Sequence, residues 1–213
     1  NDGMIDIITM DMLPEDEHIL KMSAGDEPLD VYEYKLSYGY HYQYSRNCLQ
    51  INRGEGKQFS DMALYAGVAA TDWSWSPLAA DYDNDGIKDL FITNGILRRP
   101  NDLDFLNYIS SSVIRDALQK NKEADISSIK QMPEGKMKNY FFKGSDSLVY
   151  RNVSSDWSGE EPSLSNGAAY ADLDNDGDLD IVVNNINSYA TVLQNNASVS
   201  GNHYINIQLS GRS

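Results

Sequence analysis

The stretch "DYDNDGIKDLFITNG", residues 81–95, decides the fold. Asp81, Asp83 and Asp85 place carboxylates on alternate residues, and Gly86 follows with the freedom to take the positive φ of a sharp turn. Asp89 closes the acidic pattern, and "LFITN" runs on from it at once. So apolar a run suits a β-strand buried on both faces. The stretch therefore reads as an acidic turn between two strands.

The same pattern recurs. "NDGMIDIITMD", at residues 1–11, matches "NDGIKDLFITN" from the fourth loop position onward, with Asp2, Gly3 and Asp6 falling on Asp85, Gly86 and Asp89. A third copy, "DLDNDGDLDIVVNN", covers residues 172–185. Asp85 lies 83 residues after Asp2, and Asp176 lies 91 after Asp85. Upstream, "GVAATDWSWSPLAADYDNDG" parallels "DWSGEEPSLSNGAAYADLDNDG", each a strand of small residues feeding the first aspartate. Ahead of these stand "NCLQINRGEGKQFSD" and "NYFFKGSDSLVYRNVSS", each two short strands about a Gly-containing turn. One unit is thus a hairpin, a small-residue strand, an aspartate loop and an apolar strand. Tandem four-stranded units are what a β-propeller needs, so the expected fold is all-β, with about three blades in this chain. Because the sequence begins inside a copy, it is expected to be a fragment of a longer chain.

Two insertions interrupt the units, at about 12–46 and 101–133. The second carries Phe105, Leu106, Ile109, Val113, Ile114, Ala117 and Leu118 at helical spacing, with Asp102 or Asp104 as cap. This predicts an amphipathic helix over about 103–120, then a shorter one ended by Pro133. In the first, "LPEDEHILKMSAG" predicts a short helix stopped at Gly25. Both insertions are expected outside the blades or on one rim.

The chain has 213 residues, 41% of them hydrophobic, enough for a folded core. Its 17 basic and 32 acidic side chains give a net charge of −15, which argues against nucleic acid or an anionic membrane surface and favours a cationic ligand. A single cysteine, Cys48, excludes an internal disulfide framework and multi-cysteine zinc. No apolar run is long enough to predict a transmembrane segment.

The loop chemistry points to a metal. Calcium takes six to eight oxygens, and a short loop wraps it best with short carboxylates on alternate residues. In the second loop Asp81, Asp83 and Asp85 supply positions 1, 3 and 5, Ile87 its backbone carbonyl at 7, and Asp89 closes at 9. The third loop repeats this with Asp172, Asp174, Asp176, the carbonyl of Asp178, and Asp180. The first is partial, with Asp2, Met4 and Asp6. An EF-hand begins in the same way but requires a Glu at position 12, where Ile92 stands. Eleven of the 32 acidic residues sit in these loops, so folding is expected to be coupled to Ca2+ at two complete sites and one partial one. Magnesium fits less well, because it rarely uses all-protein cages.

On these loops the chain resembles the FG-GAP/VCBS repeats, the integrin-α-like calcium-binding β-propeller family. The resemblance covers roughly residues 1–196 and implies a seven-bladed ring of which this chain holds a part. A narrower likeness, carried by "HYQYSRNCLQINRGEGKQFSDMALYAGVAATDWSWSPLAADYDNDGIKDLFITNGILR", is to Bacteroidetes VCBS-repeat proteins that end in an ASPIC/UnbV domain. The final "NHYINIQLSGRS" resembles the first strand of that domain, cut short, so residues 197–213 are expected to begin it. The first loop departs from the family in lacking its leading aspartates.

Other side chains are weighed for chemistry. In "VYEYKLSYGYHYQYS", residues 31–45, Tyr32, Tyr34, Leu36, Tyr38, Tyr40, Tyr42 and Tyr44 share one parity. If extended, they form one aromatic face, expected to pack between elements, with sugar stacking as the alternative. Trp73 and Trp75 share a strand face before the second loop and are expected in core or blade-to-blade packing, with Trp157 recurring at a similar place. His18, His41 and His203 show no metal-ligand spacing, and no nucleophile, phosphate-loop or zincin motif occurs, so no catalytic residue is assigned. Arg98, Arg99, Asp102 and Asp104 are the remaining group considered for a rim cleft. The expected function is a calcium-stabilised propeller segment of an extracellular or cell-surface protein, on a bacterial outer membrane surface, that binds protein or polysaccharide. The alternatives are part of a propeller-fold polysaccharide lyase or hydrolase, or an architectural part of a surface assembly.

Overall fold

The computed structural model describes residues 3–25, 28–54, 56–110, 129–158, 161–197, 201–202, 204–205 and 207–211. Its strands form three antiparallel sheets. The first joins β1 (Ile7–Thr9), β3 (Cys48–Gly54) and β4 (Gln58–Asp61) in that order. In the second the order is β2 (Met12–Leu13), β5 (Asp72–Ala80), β6 (Asp89–Asn94), β7 (Tyr140–Lys143), β8 (Arg151–Asn152). In the third, β10 (Asp180–Asn185) lies between β9 (Ser165–Ala171) and β11 (Thr191–Leu193). The fold is all-β and propeller-like, with few helices.

The phase of the repeat differs from the sequence expectation. The hairpin β3–β4 pairs with β1, Ile8 facing Leu49, and β7–β8 pairs with β6, Phe91 facing Phe141. Each hairpin thus completes the blade begun by the apolar strand ahead of it. A helical turn then carries the chain to the next sheet: α3 (Ala63–Ala66) after β4, and α5 (Ser154–Trp157) after β8. The order of elements along a repeat cannot say where one sheet ends and the next begins. The strand count differs as well. β5 to β8 make the expected four-stranded blade, but β2, from the first insertion, adds a fifth strand through Met12↔Trp73 and Leu13↔Asp72. That insertion is therefore partly built into a blade.

The sheets stack face to face, and β6 lies at the centre with all six residues buried. Leu90 and Ile92 point into one cluster with Leu49, Ile51, Val68 and Tyr140, while Phe91 points into the other with Phe141, Val153, Ile181 and Val183. This is the strand buried on both faces that "LFITN" predicts. Burial of each such side chain contributes about 1.5–3 kcal/mol.

At the end of the blades away from the aspartate loops, neutral side chains join one sheet to the next. Asn47 Oδ1 accepts from Asp11 N at 3.0 Å, and its Nδ2 donates to Val68 O and Thr71 Oγ1. Asn139 repeats the role, accepting from Asn94 N at 2.9 Å and donating to Ser165 Oγ at 3.1 Å. Beside them Arg99 Nη2 donates to both oxygens of Asp72, each at 2.9 Å, with Asp72 fully buried and Arg99 6% exposed. Arg99 is thus structural. Asp102 caps α4 (Leu103–Ser110), accepting from Phe105 N at 2.9 Å, Asp104 lies in its first turn, and Arg98 Nη1 donates to Met132 O.

α4 has Phe105 buried, as the helical spacing predicts. The expected helix beyond Ser110, and most of the shorter one before Pro133, lie outside the described residues. α1 (Glu17–Met22) forms where predicted, with Asp16 accepting from Ile19 N as N-cap. The first half of the tyrosine segment is not extended, so the condition for a single aromatic face is not met. α2 (Leu29–Ser37) takes up that half, started after Pro28 and ended before Gly39 at φ 85°. A period of two in the tyrosines competes here with helix signals at both ends, and the helix wins because no buried residue demands alternation. Tyr34, Tyr38, Tyr40, Tyr42 and Tyr44 are all exposed, so the expected packing does not occur. Trp75 is 48% exposed and donates from Nε1 to Gly95 O, whereas Trp157 belongs to α5 and stacks edge-on against Phe141. Trp75 is therefore not core, Trp73 is half-buried on β5, and Trp157 is not their counterpart. The described residues of 204–211 form no strand, and the Tyr204 ring lies over Gly177.

Candidate metal centre

The aspartate loops join β5 to β6 and β9 to β10, on the rim opposite the asparagine joints. Both adopt one backbone form. Asn84 and Asn175, at position 4, have φ of 55° and 63°, and Gly86 and Gly177 both have φ of 89°. In the second loop the first aspartate gathers the turn: Asp81 Oδ1 accepts from Asp85 N at 3.0 Å and Oδ2 from Gly86 N at 2.8 Å. Asp85 Oδ1 accepts from Ile87 N. In the third loop Asp172 accepts from Gly177 N at 3.1 Å, Asp174 from Asp176 N and Asp176 from Asp178 N.

The ninth position has a role of its own. Asp89 accepts from Tyr82 N at 3.0 Å on one oxygen and from Gly144 N at 2.8 Å on the other. Asp180 does the same with Leu173 N at 2.9 Å and Asn195 N at 2.8 Å. Asp6, in the first copy, accepts from Asn52 N at 2.8 Å. Each ninth aspartate therefore clasps the loop, or the end of the neighbouring strand, to its own strand. Asp89 is fully buried, and that desolvation, reinforced by Asp83 and Asp85 against the two backbone donors, pushes its carboxyl up to about 6. Its repulsion from Asp83 and Asp85 marks a site short of positive charge.

Among the described residues, two groups of carboxylates converge closely enough for one ion. Asp81, Asp83 and Asp89 each offer an oxygen within 4.8 Å of the others, and so do Asp172, Asp174 and Asp176. Asp85 and Asp180 stand outside these groups, and Asp2 lies outside the described residues. Ile87, Met4 and Asp178 are expected to act through backbone carbonyls. The side chain of Asp178 is buried and accepts from Asn84 Nδ2 at 2.6 Å, linking the second and third loops. The residues fit a hard cation on one further observation: Asp83 Oδ1 is buried with no hydrogen-bond partner. Such an atom keeps its desolvation cost until an ion or donor reaches it.

Three residues near the loops escape the sequence pattern. Lys143 Nζ, from the end of β7, forms ion pairs with Asp83 Oδ2 and, at 2.8 Å, with Asp85 Oδ2. Burial opposes its charge, but the two carboxylates outweigh it and raise the lysine pKa. The same lysine holds Asp85 below the usual carboxylate range. Gln194 Nε2 donates to Asp174 Oδ2 at 2.7 Å, and Asn84 makes the bond between loops already described. The one signal for Lys143 is a basic residue in "YFFKG" of an acidic chain, and only strand pairing brings it to the loop.

Three stacked antiparallel sheets with acidic strand-connecting loops define a propeller-like repeat protein. Residues 1–92 match the FG-GAP-like repeat family, and this stretch belongs to it. The third loop lies beyond that match and repeats the pattern of the second. No curated protein matches the chain. Among the described residues, no helix is long and apolar enough to cross a membrane.

Proposed function

We propose that the chain is a calcium-binding β-propeller segment of an extracellular or cell-surface protein, with Ca2+ as a structural ion at the second and third loops. The observation that carries the calcium reading is the convergence of three carboxylates in each loop, together with the unpartnered Asp83 Oδ1. Asp81, Asp83 and Asp89, and in the third loop Asp172, Asp174 and Asp176, would hold the ion, with Asp85 and Asp180 at its border. Millimolar calcium outside the cell would keep even weak sites filled, which supports an extracellular or bacterial surface location. Calorimetric titration with calcium, repeated on Asp81→Asn and Asp172→Asn, tests the reading: each substitution removes one binding step.

The module binds a protein or polysaccharide ligand, and the tyrosine insertion favours polysaccharide. A groove of about 780 Å³ runs between α2 and the segment after it, lined by Tyr32, Tyr40, Tyr44, His41 and Gln43. Ring faces beside hydrogen-bonding side chains suit the apolar face and hydroxyls of a sugar ring. Tyr40→Ala with Tyr44→Ala would abolish signal on a glycan array while leaving the melting temperature within 1–2 °C of the parent, because both side chains are more than half exposed.

A further inference from the structure

The two acidic groups differ in what faces them. The ninth-position clasp gives the register: Gly144 N and Asn195 N bind Asp89 and Asp180 in the same way, both at 2.8 Å, so the residues before them, Lys143 and Gln194, occupy equivalent places. Both reach the third-position aspartate of their loop, Asp83 and Asp174. In the second loop that partner is an ammonium that also pairs with Asp85; in the third it is a neutral amide. The second loop thus sets one cation against four aspartates. In the third, Asp172, Asp174, Asp176 and Asp180 have no lysine or arginine partner among the described residues.

We infer that Lys143 is a built-in counter-cation that makes the second loop the weaker of two unequal calcium sites. This inference rests on the calcium reading above. A divalent ion entering the second loop must separate Asp83 from Lys143 and then bind beside a positive charge. Entry at Asp174 in the third loop releases an amide hydrogen bond rather than an ion pair. The weaker site then responds to calcium over a higher concentration range, so the segment has one permanent staple and one that fills last.

Calorimetric titration of the whole chain with calcium chloride tests this. The parent gives two separate steps. Lys143→Gln tightens the weaker step about tenfold or more, as expected for removing a unit charge paired with two of the loop's carboxylates near the surface, and draws the two steps together. Lys143→Arg, which keeps the charge, leaves the weaker step in place, and Gln194→Lys weakens the tighter one. Lys143 is partly exposed, so these variants are expected to fold, which circular dichroism checks. Two unchanged steps in Lys143→Gln would overturn the inference while leaving the calcium reading intact. No binding heat in the parent or any variant would overturn the calcium reading itself.

Discussion

The two ends of the blades are held by opposite means. At one end, Asn47 and Asn139 join neighbouring sheets through neutral, mutually satisfied hydrogen bonds, and the buried Arg99–Asp72 pair balances its own charge. At the other, carboxylates crowd the rim and Asp83 keeps an unpartnered oxygen. The first end also keeps buried unpartnered atoms, Arg99 Nη1 and Asn101 Oδ1, but its charges balance within the protein, whereas the second gathers an excess of carboxylate that a cation from solution would offset. Stability at the asparagine end should therefore be indifferent to calcium, and stability at the aspartate end should depend on it.

Substitutions at each end, measured with calcium and with a chelator, can break this contrast. The largest effect is expected at Asp72→Ala, which leaves the Arg99 guanidinium buried without a counter-charge. Urea unfolding should show a loss of about 3–5 kcal/mol, equal in both conditions. Asn139→Ala, which removes the acceptor of the buried Asn94 N and one of the partners of Ser165 Oγ, should cost about 1–3 kcal/mol, again equally. Asp174→Asn should cost about 1–2 kcal/mol in calcium, and nothing or a slight gain in chelator, because without the ion it only relieves repulsion. If the Asn139 loss vanished in chelator, or the Asp174 loss persisted there, the division between the ends would be wrong.

The smallest effect is a pH dependence confined to the aspartate end. Burial pushes the folded Asp89 carboxyl up to about 6, above its ordinary 3.8, so the protonated form is the one that folding favours. In chelator its contribution is full below pH about 3.8 and is lost as the pH rises through about 6. Chelated protein should therefore lose stability across that window, measured by denaturant midpoints, and Asp89→Asn should flatten the slope. Calcium, which binds the ionised form, should reverse it.

Much of this architecture is legible in the sequence because a repeat writes it several times. The aspartates, the glycine at φ 89° and the doubly buried "LFITN" follow from spacing and polarity alone. The sheet boundaries do not, since β3–β4 lies much nearer in sequence to β5, which follows it, than to β1, across the insertion, yet pairs with β1. Lys143 and Gln194 were invisible for a similar reason: both reach their aspartates across a strand pairing, 60 and 20 residues away in the chain. The asparagine joints carried a readable signal, an Asn opening both "NCLQINRG" and "NYFFKG", which the loops overshadowed. In the insertions nothing repeats, and the tyrosine segment shows the consequence: alternation without a buried face did not make a strand.

The most direct test is the melting temperature of the chain in millimolar calcium and in excess chelator. An ion held at 100 times its dissociation constant adds about 2.7 kcal/mol per site, so calcium should raise the melting temperature by roughly 5 °C or more. An unchanged melting temperature would contradict the claim that the aspartate end is completed by calcium.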